Sequence, residues 1–348
     1  MDSDKLTKIL TQESISKEEL TSLLFLNLPE NVEELLKTAN SSRTNFCGDE
    51  VHVRAVIDIS NYCVQHCMYC EMREENYSIE RYRMQPEEIV EAVRKIAKLG
   101  IGTVLLQSGE DLKFDTDLLA YIIYSIKQST DIAVTLSFGE RGIDEYRAWK
   151  IAGADRYILK FETSNTKKYS KDRSKKKLSD RIQHLKYLQR LGYQVGSGNI
   201  IGLPSQTIHD IVDDIFLLKE VNVDTALIDS FVPHKFTPYQ NLEPGNYELT
   251  LKTIAATRLL LKDVHITTNL LDIYPNRAEQ ILNCGVNVIM PSFTPEPYRN
   301  LYSGIFHQNE ENDPYENQKK LKRQIETFGR QISYSRGDSL KKPTSLSY

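Results

Sequence analysis

Five cysteines in 348 residues, a formal charge of −4 and the lack of any long apolar run leave several classes of protein without support. A charge so close to neutral, with a pI near 6.0, gives no general attraction to nucleic acid or to an anionic membrane. No apolar stretch approaches the roughly 20 residues that cross a bilayer. The N-terminal Met1-Asp-Ser-Asp-Lys-Leu-Thr-Lys8 has no signal-peptide hydrophobic region, so a cytoplasmic protein is expected. There is no internal repeat, and low complexity is confined to Lys167 to Lys177. Three of the five cysteines crowd into residues 63–70, a pattern of metal binding in a reducing compartment rather than of a disulfide framework. Cys47 and Cys284 stand alone and are read as buried thiols. What the chain does have, 40% hydrophobic and 26% charged residues, suits a sizeable core, as two domains or one large α/β barrel.

The three cysteines form Cys63-Val-Gln-His-Cys67-Met-Tyr-Cys70, directly after the apolar stretch 51–59. Thiolates are soft, anionic ligands and the usual holders of iron–sulfur clusters. Three of them on a four-iron cluster leave one iron open to chelate a small molecule, which turns an electron carrier into a catalyst. A structural zinc held by the cysteines with His66 is a second reading, although such sites usually bring their ligands as two separated pairs. A buried trio of core thiols is a third, and it conflicts with the polar neighbours Asn61, Gln65, Glu71 and Arg73.

Residues 1–50 read as a helical extension: Ser16 caps a segment with apolar i, i+3, i+4 spacing, and Pro29 opens another. From 51 onward candidate strands at 51–59, 102–107, 132–137, 155–161, 194–201, 224–232, 264–269 and 286–290 alternate with helical segments near 86–99, 116–129, 142–152, 178–191, 207–221, 246–262 and 275–284. Parallel strands need crossover helices. Eight alternations predict an α/β fold, a complete (β/α)8 TIM barrel over 51–315. A polar loop is expected at 291–317, then a C-terminal helix at 316–329 and a tail from Arg330 that closes over one end or frays. In such barrels chemistry gathers at the carboxyl ends of the strands, and the unusual residues follow the strands here: the cysteines, Ser108 to Asp111, Ser137 to Glu140, Phe161 to Ser164, Gly196 to Pro204, Phe231 to His234, Thr267 to Asn269 and Met290 to Thr294.

A small molecule chelated at an open iron needs partners for its ammonium and carboxylate. Glu110 and Asp111 suit the ammonium, with Gly109 allowing close backbone approach; as a plain polar turn they would cap the next helix. Glu162 borders an apolar run and is either paired or functional. Arg181 is a natural fork for a carboxylate, or else a surface helix arginine. Gly196 to Pro204 makes a flat wall against an adenine. Lys167 to Lys177 is a solvated loop or a docking patch for an anionic partner. His234 is a substrate contact or structural.

The C-x3-C-x2-C spacing with Tyr69 before the last cysteine resembles the radical S-adenosylmethionine (SAM) superfamily. Over nearly its whole length the chain further resembles the HydE family, maturases of [FeFe]-hydrogenase. The resemblance is carried by Arg81-Tyr-Arg-Met84, Leu106-Gln-Ser-Gly-Glu-Asp111, Val134-Thr-Leu-Ser137, Gly153-Ala-Asp-Arg-Tyr157, Gly202-Leu-Pro-Ser-Gln-Thr207, Val286-Asn-Val-Ile-Met-Pro291 and Pro297-Tyr-Arg-Asn-Leu-Tyr302. Biotin synthase and methylornithine synthase are relatives.

The resemblance implies a [4Fe-4S] cluster and SAM near the top of the barrel, with substrate deeper inside. Cys63, Cys67 and Cys70 would ligate the cluster. Tyr69, Ser108, Glu110, Ser137, Glu162, Arg181 and Ile200 would hold SAM, and Lys160, Thr267, Thr268, Met290 and Tyr302 would line the substrate cavity. The implied reaction is reductive cleavage of SAM to a 5′-deoxyadenosyl radical acting on a cysteine-ligated Fe(CO)2(CN) precursor of the H-cluster. The implied partners are HydG, HydF and a reductant such as ferredoxin or flavodoxin.

Lys160-Phe161 stands where the family pattern has Arg-His. Asp229-Ser230-Phe231 and His234-Lys-Phe236 stand where it has Gly-Pro-Phe and His-Pro-Asp, and no cysteine follows Cys284 for a second cluster. The alternatives are a divergent radical SAM enzyme on another amino-acid-like substrate, such as a mutase resembling methylornithine synthase, and a non-catalytic cluster scaffold.

Overall fold

The computed structural model describes residues 2–302 and 314–341. The N-terminal segment forms α1 (Ser3–Thr11), α2 (Lys17–Leu24) and α3 (Pro29–Cys47). Asp2 caps α1, a reciprocal Ser16–Glu19 capping box starts α2, and Pro29 opens α3 where its missing N–H costs nothing.

The stretch read as one strand at 51–59 is two, β1 (Glu50–Val53) and β2 (Ala55–Ser60). After the cysteine loop come α4 (Pro86–Lys98), β3 (Thr103–Ser108), α5 (Thr116–Ser129), β4 (Ala133–Ser137), α6 (Ile143–Ala152) and β5 (Arg156–Ile158). Two helices, α7 (Thr166–Asp172) and α8 (Leu178–Arg190), lead to β6 (Gln194–Ile201), followed by α9 (Ile208–Val221), β7 (Thr225–Ser230), α10 (Tyr247–Leu260) and β8 (His265–Thr267). Short α11 (Leu270–Ile273) and α12 (Ala278–Leu282) precede β9 (Val288–Ile289), α13 (Glu296–Arg299), α14 (Pro314–Thr327) and β10 (Gln331–Ser333). Helix α7 falls in the lysine-rich run and was not expected. Asn165 starts it by accepting from the N–H groups of Lys167 and Lys168, and buried Tyr169 anchors it.

Strands β2 to β8 form one curled parallel sheet of seven strands in chain order. The complete eight-stranded barrel expected from the sequence is thus not the architecture observed. The eighth predicted strand, 286–290, contracts to the two residues of β9 and joins a separate parallel sheet, β10-β1-β9. The reason is local. No ladder joins β8 to β9: one main-chain bond runs from Asn287 N to Ile266 O (3.1 Å), and the Asn287 side chain accepts from Ile266 N (2.8 Å) where a second carbonyl would stand. On the other flank, the carbonyls of Asn287, Ile289 and Pro291 accept from His52, Arg54 and Val56.

The tail from Arg330 closes the amino-terminal end of the sheet, through residue 341. Arg336 O accepts from Thr103 Oγ1 (2.7 Å), and Asp338 accepts from Arg156 Nη2 (2.6 Å) and Gln194 Nε2 (3.0 Å). Residues 342–348, and 303–313 of the expected loop, lie outside the described residues. Inside the sheet a small apolar layer of Val56, Leu105, Ile158, Leu227 and Met290 separates this plugged end from the open one. Among the described residues no helix is long and apolar enough to cross a membrane.

Candidate active site

The carboxyl end of the sheet holds a cavity of about 610 Å³, within the usual range for a small-molecule pocket. Cys63, Cys67, Cys70, Tyr69, Ser108, Glu110, Ser137, Glu162, Arg181, Ile200, Lys160, Thr267, Thr268, Met290 and Tyr302 all line it, and so does His234. The apolar layer forms its floor. Leu321, Ile325 and Phe328, on and just after α14, contribute wall that the sequence did not announce.

The cysteine loop owes its shape to one arginine. Arg81 donates to the carbonyls of Met72 (3.0 Å), Arg73 (2.8 Å) and Asn76 (3.0 Å), and also to Asn61 O, tying residues 61–76 into a compact wrap. The loop is further held by Met68 N donating to Asp172 O at the end of α7 (2.9 Å). Cys63 Sγ accepts from the N–H groups of Gln65 (3.4 Å) and Glu110 (3.3 Å). Gly109 permits this: a Cβ there would sit 2.4 Å from Cys63 Cβ and from Tyr62 O.

Burial pushes the Cys63 thiol up to about 11. Cys70 lies well above the ordinary thiol range, through burial first and then its neighbours Cys67 and Cys63. A bound cation would favour the thiolate form of all three, and the two backbone N–H bonds to Cys63 Sγ suit that sulfur to carry negative charge. The donor set therefore fits an iron–sulfur cluster.

Glu110 and Asp111 take different parts. Glu110 lines the cavity, receives Gln65 Nε2 and Glu140 N (3.0 Å), and has Lys176 Nζ at 3.5 Å. Asp111, expected to share the ammonium-binding role, faces away. Arg83 grips it bidentately (2.7 and 3.0 Å) and Ser60 Oγ donates to it (2.7 Å), so its carboxylate is spent holding β2 to the loop after β3.

Glu162 has φ +67, a strained conformation for a non-glycine residue. Its N–H donates to Gly198 O (2.9 Å) and its carbonyl accepts from Ile200 N (3.0 Å), which holds the strain in place. Arg181 is 2% exposed, not a surface arginine. Its Nε lies 2.9 Å from Glu140 Oε1, while its Nη2 is buried with no hydrogen-bond partner. Burial raises the Glu140 carboxyl, but Arg181 and Lys176 outweigh it and hold the group below its ordinary range. Lys160 reaches Asp229 Oδ2 (2.7 Å) and Glu162 Oε2 (3.1 Å). Burial alone would lower its pKa, and the two carboxylates raise it above an ordinary lysine.

The sequence matches the radical SAM superfamily model over residues 57–218. It is 45% identical over 295 residues, 84% of each chain, to the [FeFe] hydrogenase maturase subunit HydE of Thermotoga maritima. The chain belongs to the HydE family. It is also 29% identical to a Clostridium botulinum biotin synthase, over 80% of this chain and 88% of that one. The crystal structure of methylornithine synthase (PylB) superposes with a TM-score of 0.84 at 24% identity, covering 94% of this chain and 97% of that one, and so shares the fold. As a radical SAM enzyme of this family, the protein has a [4Fe-4S] cluster and SAM as its cofactors, and the donor set described above fits them.

Glu140, Arg173, Lys176 and Asp229 belong to the site as well, without a signal in the sequence that assigns them to it. Glu140 is visible in the sequence only as a residue after a strand and Asp229 only as a departure from the family pattern; their pairing with Arg181 and Lys160 crosses between elements and has no local signature. Arg173 and Lys176 were hidden in the lysine-rich run, yet Arg173 donates to Tyr69 OH (3.1 Å) and Lys176 to Glu140 (2.8 Å).

Behind Glu162, Asp214 of α9 receives Ser164 Oγ (2.6 Å), Ser164 N (2.5 Å) and Asn199 Nδ2 (3.0 Å), fixing the turn that carries the strained residue. Burial pushes its carboxyl up to about 7, against the pull of those donors. Between the unfolded value of 3.8 and about 7, the HydE-family fold keeps a proton that the unfolded chain has lost, so this group makes stability fall as pH rises through that window. Urea unfolding across a pH series is expected to show a downward slope there that is shallower in Asp214→Asn; equal slopes in the two proteins would contradict this.

Proposed function

We propose that this HydE-family enzyme cleaves SAM reductively and directs the resulting radical chemistry onto a cysteine-ligated Fe(CO)2(CN) substrate, as a step in assembly of the [FeFe]-hydrogenase H-cluster. The observation that carries the reading is that one cavity is lined both by the three cysteines and by Lys160, Thr267, Thr268, Met290 and Tyr302. When bound and reduced, the cluster supplies the electron that breaks the SAM carbon–sulfur bond. Arg181, with its unpartnered Nη2, is assigned to the SAM carboxylate, by the charge-assisted bonding that guanidinium groups favour. Glu110 and Glu162 supply carboxylates for its ammonium and hydroxyl groups, while Ser108 and Ser137 line the same wall. Ile200 gives the adenine an apolar surface. The floor of Val56, Leu105, Ile158, Leu227 and Met290 keeps water from the reacting centre.

The pairing of residues 52–56 with 287–291 supports a ring closed through β9. We read the protein as cytoplasmic, divided into an extension (1–50), a catalytic barrel (51–315) and a C-terminal helix and tail (316–348). We assign it transient contact with HydG, HydF and a reductant.

The test is anaerobic in vitro maturation, with hydrogenase activation and 5′-deoxyadenosine measured together. Wild type is expected to give both and Cys67→Ala neither, since loss of one thiolate removes the iron site. Deoxyadenosine without activation would transfer the substrate assignment to another amino-acid-like molecule. Neither product from cluster-loaded wild type would overturn the enzyme reading.

A further inference from the structure

We propose that α7 and the turn after it form the docking surface for the electron donor, an acidic flavodoxin-type flavoprotein; this rests on the radical SAM reading above. The segment 167–177 contains six lysines, and the structure sorts them. Lys168 and Lys176 turn inward and pair with Asp210 (3.5 Å) and Glu140 (2.8 Å). Lys167, Lys171, Lys175 and Lys177 are exposed and have no ion-pair partner among the described residues. Consecutive left-handed residues, Ser174 (φ +53) and Lys175 (φ +69), make this division, placing Arg173 and Lys176 inside and their neighbours outside.

A lysine run on a surface is ordinarily only solvated, but this one is bonded to the cysteine loop. Asp172 O accepts from Met68 N (2.9 Å), Ser174 Oγ donates to His66 O (3.3 Å), and Arg173 Nη1 donates to Tyr69 OH (3.1 Å). Each residue between Cys63 and Cys70 named here lies one or two positions from a cysteine. Thus the charged patch is fastened directly to the loop that carries the three cysteines.

Beside it, the loop at 234–240 is pinned by His234 to Glu71 of the cysteine loop (3.4 Å) and by Tyr239 to Asp172. It holds Phe236 in a left-handed conformation, 56% exposed, next to exposed Lys235. An exposed aromatic beside a lysine, on a loop tied through Tyr239 to the end of α7, suits the apolar edge of a flavin set in an acidic protein, with steering supplied by the lysines. Of the neighbouring acidic residues, Glu75 is paired with Arg73 (3.0 Å). A reduced flavin held at this surface would supply one electron to the cluster that Cys63, Cys67 and Cys70 would hold, and would itself end one electron more oxidised.

The experiment uses reconstituted holoenzyme, reduced flavodoxin as the protein donor and dithionite as a small one. Lys171→Glu/Lys175→Glu/Lys177→Glu is compared with wild type by stopped-flow bleaching of the cluster and by calorimetric titration with oxidised flavodoxin at low salt. The charge-reversed protein is expected to lose the titration signal and to be reduced by flavodoxin about tenfold or more slowly, with the salt dependence gone. Its reduction by dithionite and its dithionite-driven deoxyadenosine yield should be unchanged. Phe236→Ala should slow flavodoxin alone while leaving its salt dependence intact. Equal flavodoxin rates in wild type and the triple variant would overturn the proposal while the enzyme reading stands. A loss with dithionite as well would overturn it as a docking effect, and wild type that dithionite cannot drive to deoxyadenosine would overturn both.

Discussion

Gly109→Ala is expected to fold and yet to lose most of its iron on reconstitution, together with deoxyadenosine formation. The added methyl would meet Cys63 Cβ and Tyr62 O at 2.4 Å and Cys63 Cα at 3.0 Å. Two of these are main-chain atoms and none lies at the end of a flexible side chain. The strain must therefore part the cysteine loop from the turn after β3, at a cost of about 1–3 kcal/mol typical of overpacking. A domain of ordinary stability, roughly 5–15 kcal/mol, survives that. What does not survive is the local hydrogen bonding, Glu110 N to Cys63 Sγ (3.3 Å) and Val64 N to Glu110 O (3.1 Å), which sets the position of Cys63, the first of the proposed ligands. Gly142→Ala is the control. Its Cβ would meet nothing closer than the Glu145 carboxylate at 3.2 Å, the movable end of a side chain. Iron and sulfide analysis, the cluster's visible absorbance and circular dichroism decide the matter. Full iron in Gly109→Ala would show that the close approach is not needed for ligation.

Gly109 also illustrates what a sequence can and cannot say. A glycine in a polar turn after a strand announces a close approach, but not what approaches; here it is the cysteine loop. The alternation of strands and helices is legible because the strands of the seven-stranded sheet are apolar and largely buried and several of the helices between them are amphipathic, as in α4 with Ile89, Val90, Val93 and Ile96 inward, although α10 is buried all round. The break at Arg54 is not legible. Residues 51–59 are apolar almost throughout, and only pairing with β3 on one side and β9 on the other reveals that the stretch serves two sheets. Likewise 286–290 has the composition of a strand, while its ladder to β8 is interrupted by the Asn287 side chain. Glu110 and Asp111 could not be told apart by type or position. Arg83, distant in sequence from both, decides that Asp111 is a brace.

Lys160 and Asp229, far apart in sequence and both departures from the family pattern, are one feature in space, an ion pair of 2.7 Å lining the cavity. Both side chains are mostly buried, 18% and 20% exposed. Asp229 Oδ1 is fixed by Asn269 N (2.9 Å), and Asn269 in turn receives and donates hydrogen bonds with Ser230. Removing one partner of such a pair leaves an uncompensated charge, which commonly costs about 3–5 kcal/mol, whereas removing both costs far less. Lys160→Met is therefore expected to lose on the order of 3 kcal/mol of stability, because Asp229 and Glu162 are then left facing each other.

The double variant Lys160→Met/Asp229→Ala should regain more than half of that loss, a coupling that urea unfolding of the four proteins of the cycle measures directly. Function should not follow stability. On the proposed assignment of Glu162 to SAM and of Lys160 to substrate, the double variant is expected to retain SAM cleavage while activation of hydrogenase falls at least tenfold, a difference of about 1.4 kcal/mol. Additive stability losses would mean that the pair is not formed in solution. Unimpaired activation in the double variant would mean that the charge at Lys160 takes no part in positioning substrate, and would shift that role to Thr267, Thr268 and Tyr302 on the same wall.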